Sequence, residues 1–377
     1  MAKRKKKTQP EESLDPETIK KLQLETFLKR FKTANITNKK RLVTGLFPLD
    51  RVLDGGIVLG SILEVFGTEG AGKTTLALVI AKAFRKIFPG KRVLYVDAEH
   101  ALDLNWAAKH GISFSTDGQD GDIVMIQPMS ANEAMDAVVD GAAHHDLFSL
   151  VIFDSIPALM AEEELNTAKT EHTTTSSVVR GVLPKLVTTM VRRLVPAIGD
   201  SEMTVLWINQ IRAKMDMYGG GITTPGGYAR QHAAHYRIQL SAKSMKPSDN
   251  AREITIKTVK NKHGRPYLED TMYIFVNEGL SIINNNILAA EALGIIEKAG
   301  SYYKLSDGSS IHGRQALIEY YYEHPKEFTK LQHELYKFAE ENVFVNPAKP
   351  VYAFQAERGD NHERLEKIGS GTEGNSN

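Results

Sequence analysis

The chain has no cysteine in 377 residues. That absence removes disulfides and thiolate metal sites, and it sits most easily with a reducing compartment, so the expected location is cytoplasmic. No apolar run approaches the ~20 residues that cross a bilayer. The basic N-terminus is followed by polar residues, unlike a signal peptide, and no membrane partner is expected. Net charge is also nearly missing, because 47 Lys and Arg face 46 Asp and Glu. A nucleic-acid surface on such a chain is a local patch, with no global field behind it. The 12 histidines show no metal-ligand spacing. What remains is the ordinary composition of a globular protein, 42% hydrophobic and 25% charged, long enough for about two or three domains.

The organising stretch is residues 62–78, which read ILEVF, GTEGAGKT, TLAL. A short apolar run, a glycine-rich turn and a helical pattern in that order predict strand, phosphate loop and helix. Gly67, Gly72, Lys73 and Thr74 fit G-x-x-x-x-G-K-[ST], and Thr68, Glu69, Gly70, Ala71 and Thr75 complete the candidate nucleotide cradle. Glycines allow successive N–H groups to turn inward on a phosphate. Lys73 is placed to reach the β- and γ-phosphates, Thr74 to put its hydroxyl on Mg²⁺, and the helix N-terminus favours the anion.

Around this centre the pattern alternates strand and helix. Lys3 to Lys7 form a basic run that reads as a solvated tail or an electrostatic arm. Asp15-Pro16 starts a helix with an apolar stripe of Ile19, Leu22, Phe27 and Phe31, to be buried within the chain or on a neighbouring subunit. Leu76, Ile80, Ala83, Phe84 and Ile87 stripe the helix after the phosphate loop. Residues 92–97 form a buried strand, with Asp97 and Glu99 where acids face the ligand of a parallel sheet, and Glu99 is the candidate general base. Ser130 and Glu133 make a capping box for a helix through Val139. Leu150 to Asp154 is four apolar residues and an aspartate, which places Asp154 at Mg²⁺.

Residues 160–177 lack periodicity and read as a loop before a helix over 177–198, bent at Pro184. Residues 204–209 form a strand ending at Gln210, a γ-phosphate sensor or a plain loop glutamine. The next stretch carries Arg212, Lys214, Met215, Met217, Tyr218, Gly219, Gly220, Gly221, Thr223, Thr224, Gly226 and Gly227. Cations suit phosphates and apolar side chains suit bases, so this is the candidate DNA loop. Strands follow over 236–240, 253–260 and 271–276, with basic Lys260 and Lys262 between them. Gly264 stands where a guanine-reading motif needs aspartate, so guanine specificity is not expected. Beyond Asn277 the alternation gives way to a small α+β unit with a turn-rich hairpin at 305–313 and a helix striped by Phe328, Leu331, Leu335 and Phe338. From Asn346 onward the polar, Pro/Gly-rich composition predicts a disordered tail. The expected divisions are 1–40, 41–277, 278–345 and 346–377.

With these pieces in order, the chain resembles RecA-type recombinases, on GTEGAGKTTLAL, VDAEHALD (96–103), VIFDSIPAL (151–159), INQIRAKM (208–215), TTPGG (223–227), KTVKNKHGRP (257–266) and EKAGSYYKL (297–305). The resemblance implies an α/β fold: a RecA-like P-loop ATPase core with a mostly parallel central sheet, an N-terminal helical polymerisation element and a small C-terminal α+β domain. It implies ATP and Mg²⁺ as cofactors, single- and double-stranded DNA as partners, and self-association into a helical filament that pairs and exchanges strands, helped by single-strand-binding and loader proteins. By matching motif, Glu99 is the base, Gln210 the switch, and Lys260 and Lys262 reach a neighbour's ATP. Asp103 and Trp106 contact adenine, and Arg180 and residues 211–226 contact DNA. Tyr228 to His232 replaces a stretch with an interface lysine, and the sequence does not decide whether Arg230 takes its place. The rival readings are a hexameric P-loop helicase-like motor and an ATP-gated scaffold.

Overall fold

The computed structural model describes residues 15–30, 39–115, 123–155, 182–213, 222–224, 227–246, 249–305, 308–345 and 348–354. The chain divides into two compact units, Met1–Asn38 and Lys39–Asn377. In the first, the helix Pro16–Arg30 begins as its sequence predicts: Asp15 accepts the Glu17 and Thr18 amides at 2.9 and 3.0 Å. Leu22, Leu24, Phe27 and Leu28 are exposed on it, while Phe31 and the Ile19 side chain lie outside the described residues.

The second unit is built on a nine-stranded sheet. Its order is Glu269–Phe275, Ala251–Asn261, Tyr236–Ala242, Ile62–Gly67, Thr204–Gln210, Phe148–Asp154, Arg92–Asp97, Ile123–Ile126, Phe114–Ser115. From Tyr236–Ala242 onward all neighbours are parallel, and the first two strands add antiparallel at one edge. Alternate residues feed opposite faces: Leu206 and Ile208 pack with the helix Lys73–Ile87, Val205 and Trp207 with the helices Ala131–Ala143 and Val182–Ile198. Both faces are covered, which is why these strands read as continuous apolar runs.

Ser130 accepts the Glu133 amide at 3.1 Å, and the helix it caps continues past Val139 to Ala143. Residues 156–181 lie outside the described ones, so the helix expected from 177 is seen from Val182. Its interior proline is Pro196, and Pro184 sits in the first described turn, where no bend is needed.

The α+β unit beyond Asn277 is not wholly self-contained: its buried cluster, separate from those on the two faces of the nine-stranded sheet, also takes in Val43 and Phe47. Asp50 joins the two parts, fully buried, accepting from Tyr336 Oη at 2.5 Å, Gly45 N at 3.0 Å and Thr44 N at 3.1 Å. Burial pushes this carboxyl up to about 6. Nor is the chain beyond Asn346 uniformly without structure. Lys349–Tyr352 pairs parallel with Lys40–Val43, and buried Arg41 donates to Ala348 O at 2.8 Å and Glu340 at 2.9 Å. The sequence signal that composition obscured is aromatic: Tyr352 and Phe354 pack on Tyr336 with centroids 6.1 and 5.2 Å away.

Tyr336→Phe removes a donor from a buried carboxylate and is expected to cost about 1–3 kcal/mol. Equilibrium denaturant unfolding of the variant against wild type measures it.

Candidate functional site

After Ile62–Gly67 the chain passes over two strand positions before it forms Arg92–Asp97. Those positions are filled later by Phe148–Asp154 and Thr204–Gln210. Register then lines up the carboxyl ends, with Gly67 opposite Gln210 and Asp97 opposite Asp154. Side chains remote in sequence are thereby gathered at one rim, where open parallel sheets bind ligands.

The phosphate loop closes through Gly72, whose φ of 81° is left-handed and leads directly into the helix at Lys73. Lys73 Nζ lies back on the loop, 2.8 Å from Thr68 O and 3.3 Å from Gly67 O. Burial lowers its pKa, opposed by Asp154 and Glu99. Thr74 Oγ1 donates to Asp154 Oδ2 at 2.9 Å, and Tyr95 Oη to the same oxygen at 2.7 Å. Burial pushes Asp154 up to about 6. A carboxylate and a hydroxyl side by side are hard oxygen donors that fit Mg²⁺ sharing phosphate oxygens. Among the described residues no group of three or more His, Cys, Asp or Glu could hold a metal ion.

Glu99 and Gln210, read separately from sequence as base and sensor, touch. Gln210 Nε2 donates to Glu99 Oε1 at 3.0 Å, and Ser155 Oγ donates to the same oxygen at 2.5 Å. From these groups a cavity of about 600 Å³ extends to Asp103 and Trp106. That volume fits a nucleotide. Asp103 caps the helix Leu104–Lys109 by accepting the Asn105 and Trp106 amides, and Trp106 Nε1 donates to Thr75 Oγ1 at 3.0 Å, fixing the ring at the cavity wall.

Sequence reasoning missed the opposite wall. Met245, Ile274, Phe275 and Val276 make it apolar, and Arg252 makes it cationic. Arg252 Nη1 donates to Gly70 O at 2.8 Å, where a Cβ on Gly70 would itself sit 2.9 Å from Nη1. No motif marks these residues. Only the edge hairpin, which pairs Arg252 with Ile274, carries them over the phosphate loop.

Lys260 and Lys262 do not join this cavity. Lys260 pairs with Arg237, and Arg237 with Glu64, towards the start of the strand that ends at Gly67. Their ammonium groups rest on helix-end carbonyls: Lys260 Nζ is 2.6 Å from Gln231 O, and Lys262 Nζ is 3.1 Å from His232 O. Neither lysine lines the cavity. Beside them His235 and His263 stack with centroids 5.3 Å apart, and burial, the neighbouring lysines and, for His235, the His263 ring pull both down to about 4.

Of the candidate DNA residues, Arg180, Lys214, Met215, Met217, Tyr218, Gly219, Gly220, Gly221 and Gly226 lie outside the described residues. The stretch read wholly as loop starts and ends as a ribbon, with Arg212–Ala213 paired antiparallel to Ile222–Thr223 two residues after Gln210. Gly227 opens the helix Gly227–Ala233. The Thr224 side chain is buried and accepts from Arg230 Nη2 at 2.9 Å. Arg230 is itself fully buried against Glu64, which excludes it as the surface cation of an interface.

Residues 17–281 match the family described as the RecA N-terminal domain. The chain is 31% identical over 306 residues to the protein RecA of Mesoplasma florum, covering 79% of this chain and 87% of that protein. It is 30% identical over 308 residues to that of Thermus aquaticus, with 80% and 86% covered. To that of Paracoccus denitrificans it is 34% identical over 291 residues, with 75% and 76% covered.

Arg252→Ala is expected to weaken binding of a fluorescent ATP analogue about tenfold, the loss of one charge-assisted hydrogen bond, read by titration at fixed salt. The histidine pair predicts a pH effect. Each ring titrates near 4 when folded and at 6.5 when exposed, so the unfolded chain binds more protons between those values. The pair's contribution is full above about 6.5 and is lost as pH falls towards 4. The wild-type unfolding midpoint should therefore drop across that window more steeply than that of His263→Gln. The difference isolates the pair from Asp50 and Asp154, whose raised values act in the opposite sense.

Proposed function

Because the chain belongs to the RecA family, we propose that ATP with Mg²⁺ fills the cavity between Lys73 and Trp106 and that its occupancy controls the ribbon beyond Gln210. The protein is a recombinase, a DNA-dependent ATPase that forms filaments on single-stranded DNA and catalyses homologous pairing and strand exchange. It binds a nucleotide and a divalent metal to do so. The observation that carries our assignment of residues is the 3.0 Å contact between Gln210 and Glu99, with the ribbon strand beginning at Arg212. One hydrogen bond joins the hydrolytic group to the element that leads to DNA.

In this mechanism Lys73 leaves the carbonyls of its own loop for the β- and γ-phosphates, and the loop amides cradle them. Thr74 and Asp154 would hold Mg²⁺, which would neutralise phosphate charge when bound. Trp106 stacks on the base from one side of the cavity while Ile274 and Phe275 close the other. Glu99 holds the attacking water and takes its proton. Gln210 is released from Glu99 when it hydrogen-bonds the γ-phosphate, and the backbone it shares with Arg212 moves with it. Lys260 and Lys262 meet the ATP of the next subunit, since they lie at the far end of the sheet from their own. Contacts of this head-to-tail kind do not close and so build a helix. We place the protein in the cytoplasm, with single-strand-binding and loader proteins as accessory partners.

Glu99→Gln should retain ATP-dependent binding of single-stranded DNA while its ATP hydrolysis falls by about 10²–10⁴, the usual worth of a general base. Loss of both together would remove Glu99 from that role. Negative-stain microscopy with single-stranded DNA should show long helical filaments when a non-hydrolysable ATP analogue is present. Closed rings indifferent to DNA would mark a helicase-like motor instead.

A further inference from the structure

Beneath the ribbon lies a buried polar cluster that the hydrolytic mechanism does not use. Glu64, on the strand that ends in the phosphate loop, is completely buried and pairs with Arg230, also completely buried, and with Arg237 Nε at 2.7 Å. Asn209, the residue before Gln210, donates to Glu64 Oε1 at 3.2 Å. Arg237 also lies over Phe66, its guanidinium carbon 4.8 Å from the ring centroid, next to Gly67. One further donor of each arginine reaches the same hydroxyl. Thr224 Oγ1 accepts from Arg230 Nη2 at 2.9 Å and from Arg237 Nη2 at 3.4 Å.

Thr224 immediately follows the ribbon strand Ile222–Thr223, and Asn209 stands three residues before its partner Arg212–Ala213. The cluster therefore grips both ends of the ribbon and ties them to the strand beneath the phosphate loop. A buried charge cluster is a poor source of stability, because hydrophobic residues of the same volume do as well. Arg230 Nε has no acceptor among the described residues, which makes the arrangement poorer still on that count. What the cluster does supply is position, since a guanidinium fork bonded at two points fixes both partners at once.

We propose that Arg230 is a positioning residue for DNA binding, which holds Thr224 against Glu64 so that nucleotide-dependent movement of Gln210 is passed to both strands of the ribbon. Without that grip, movement at Gln210 shifts one strand and slips past the other. The inference rests on the reading of residues 211–226 as the DNA element.

The test measures affinity of the full chain for a fluorescein-labelled oligothymidylate by anisotropy, with ATPγS and without nucleotide. Wild type should bind more tightly with ATPγS. Arg230→Met leaves Glu64 paired with Arg237 and should lose about tenfold of that gain, one charge-assisted hydrogen bond, while binding a fluorescent ATP analogue like wild type. Arg230→Lys keeps the charge beside Glu64 but lacks the fork that reaches Thr224, so it should recover stability and not the gain. A charge that merely stabilised the fold would be rescued by lysine in both respects. Thr224→Val leaves every charge in place and should behave as Arg230→Met does, which carries the test if that variant does not fold. Retention of the wild-type gain in Thr224→Val, or full rescue by Arg230→Lys, overturns the inference. A wild-type protein whose DNA affinity ignores ATPγS overturns the functional reading itself.

Discussion

Backbone pairing across the middle of the sheet is the constraint on which the site depends. Two strands made late in the chain are inserted between the phosphate-loop strand and the strand that follows it. Hydrogen bonding then sets Gly67 beside Gln210 and Asp97 beside Asp154. A slip of one residue in either strand would turn Trp207 and Phe153 to the other face and unmake both flanking cores. The apolar faces thus hold the polar rim in register. Catalytic geometry here is a by-product of packing several residues below it.

The same sheet separates the two classes of lysine. Lys73 serves the carboxyl rim, whereas Lys260 lies beside the start of the phosphate-loop strand because its own strand runs antiparallel to the parallel set. In the proposed filament, one molecule would therefore present a nucleotide-binding end and a nucleotide-completing end, and the edge hairpin would make chemistry depend on assembly.

Motifs whose geometry is local were readable from sequence: the turn from Gly67 to Thr74 and the Asp15 cap each need only their neighbours along the chain. The sheet was readable from its apolar runs, because strands covered on both faces cannot be polar. Arg252, Ile274 and Phe275 were hidden, since nothing along a strand says which end of it will overhang a loop made two hundred residues earlier in rough terms. The hold of Arg230 and Arg237 on the Thr224 hydroxyl was hidden as well, because no motif names the residues that pack against a loop's end. The strand Lys349–Tyr352 was lost among proline and polar residues because its partner lies at the other end of the unit. For Arg252 and for Lys349–Tyr352 the deciding contact is long in sequence.

That last pairing also sets an order of events during synthesis. Arg41 and Ala348, joined by a hydrogen bond, are 307 residues apart in the chain. At about 5–20 residues per second, roughly 15–60 s pass between the appearance of one and of the other. Throughout that interval Lys40–Val43 can pair only with Ile57–Val58, and its other edge stays open. For a protein that polymerises, such a delay is useful. The nascent chain completes this small sheet only after every strand of the nine-stranded sheet has been made.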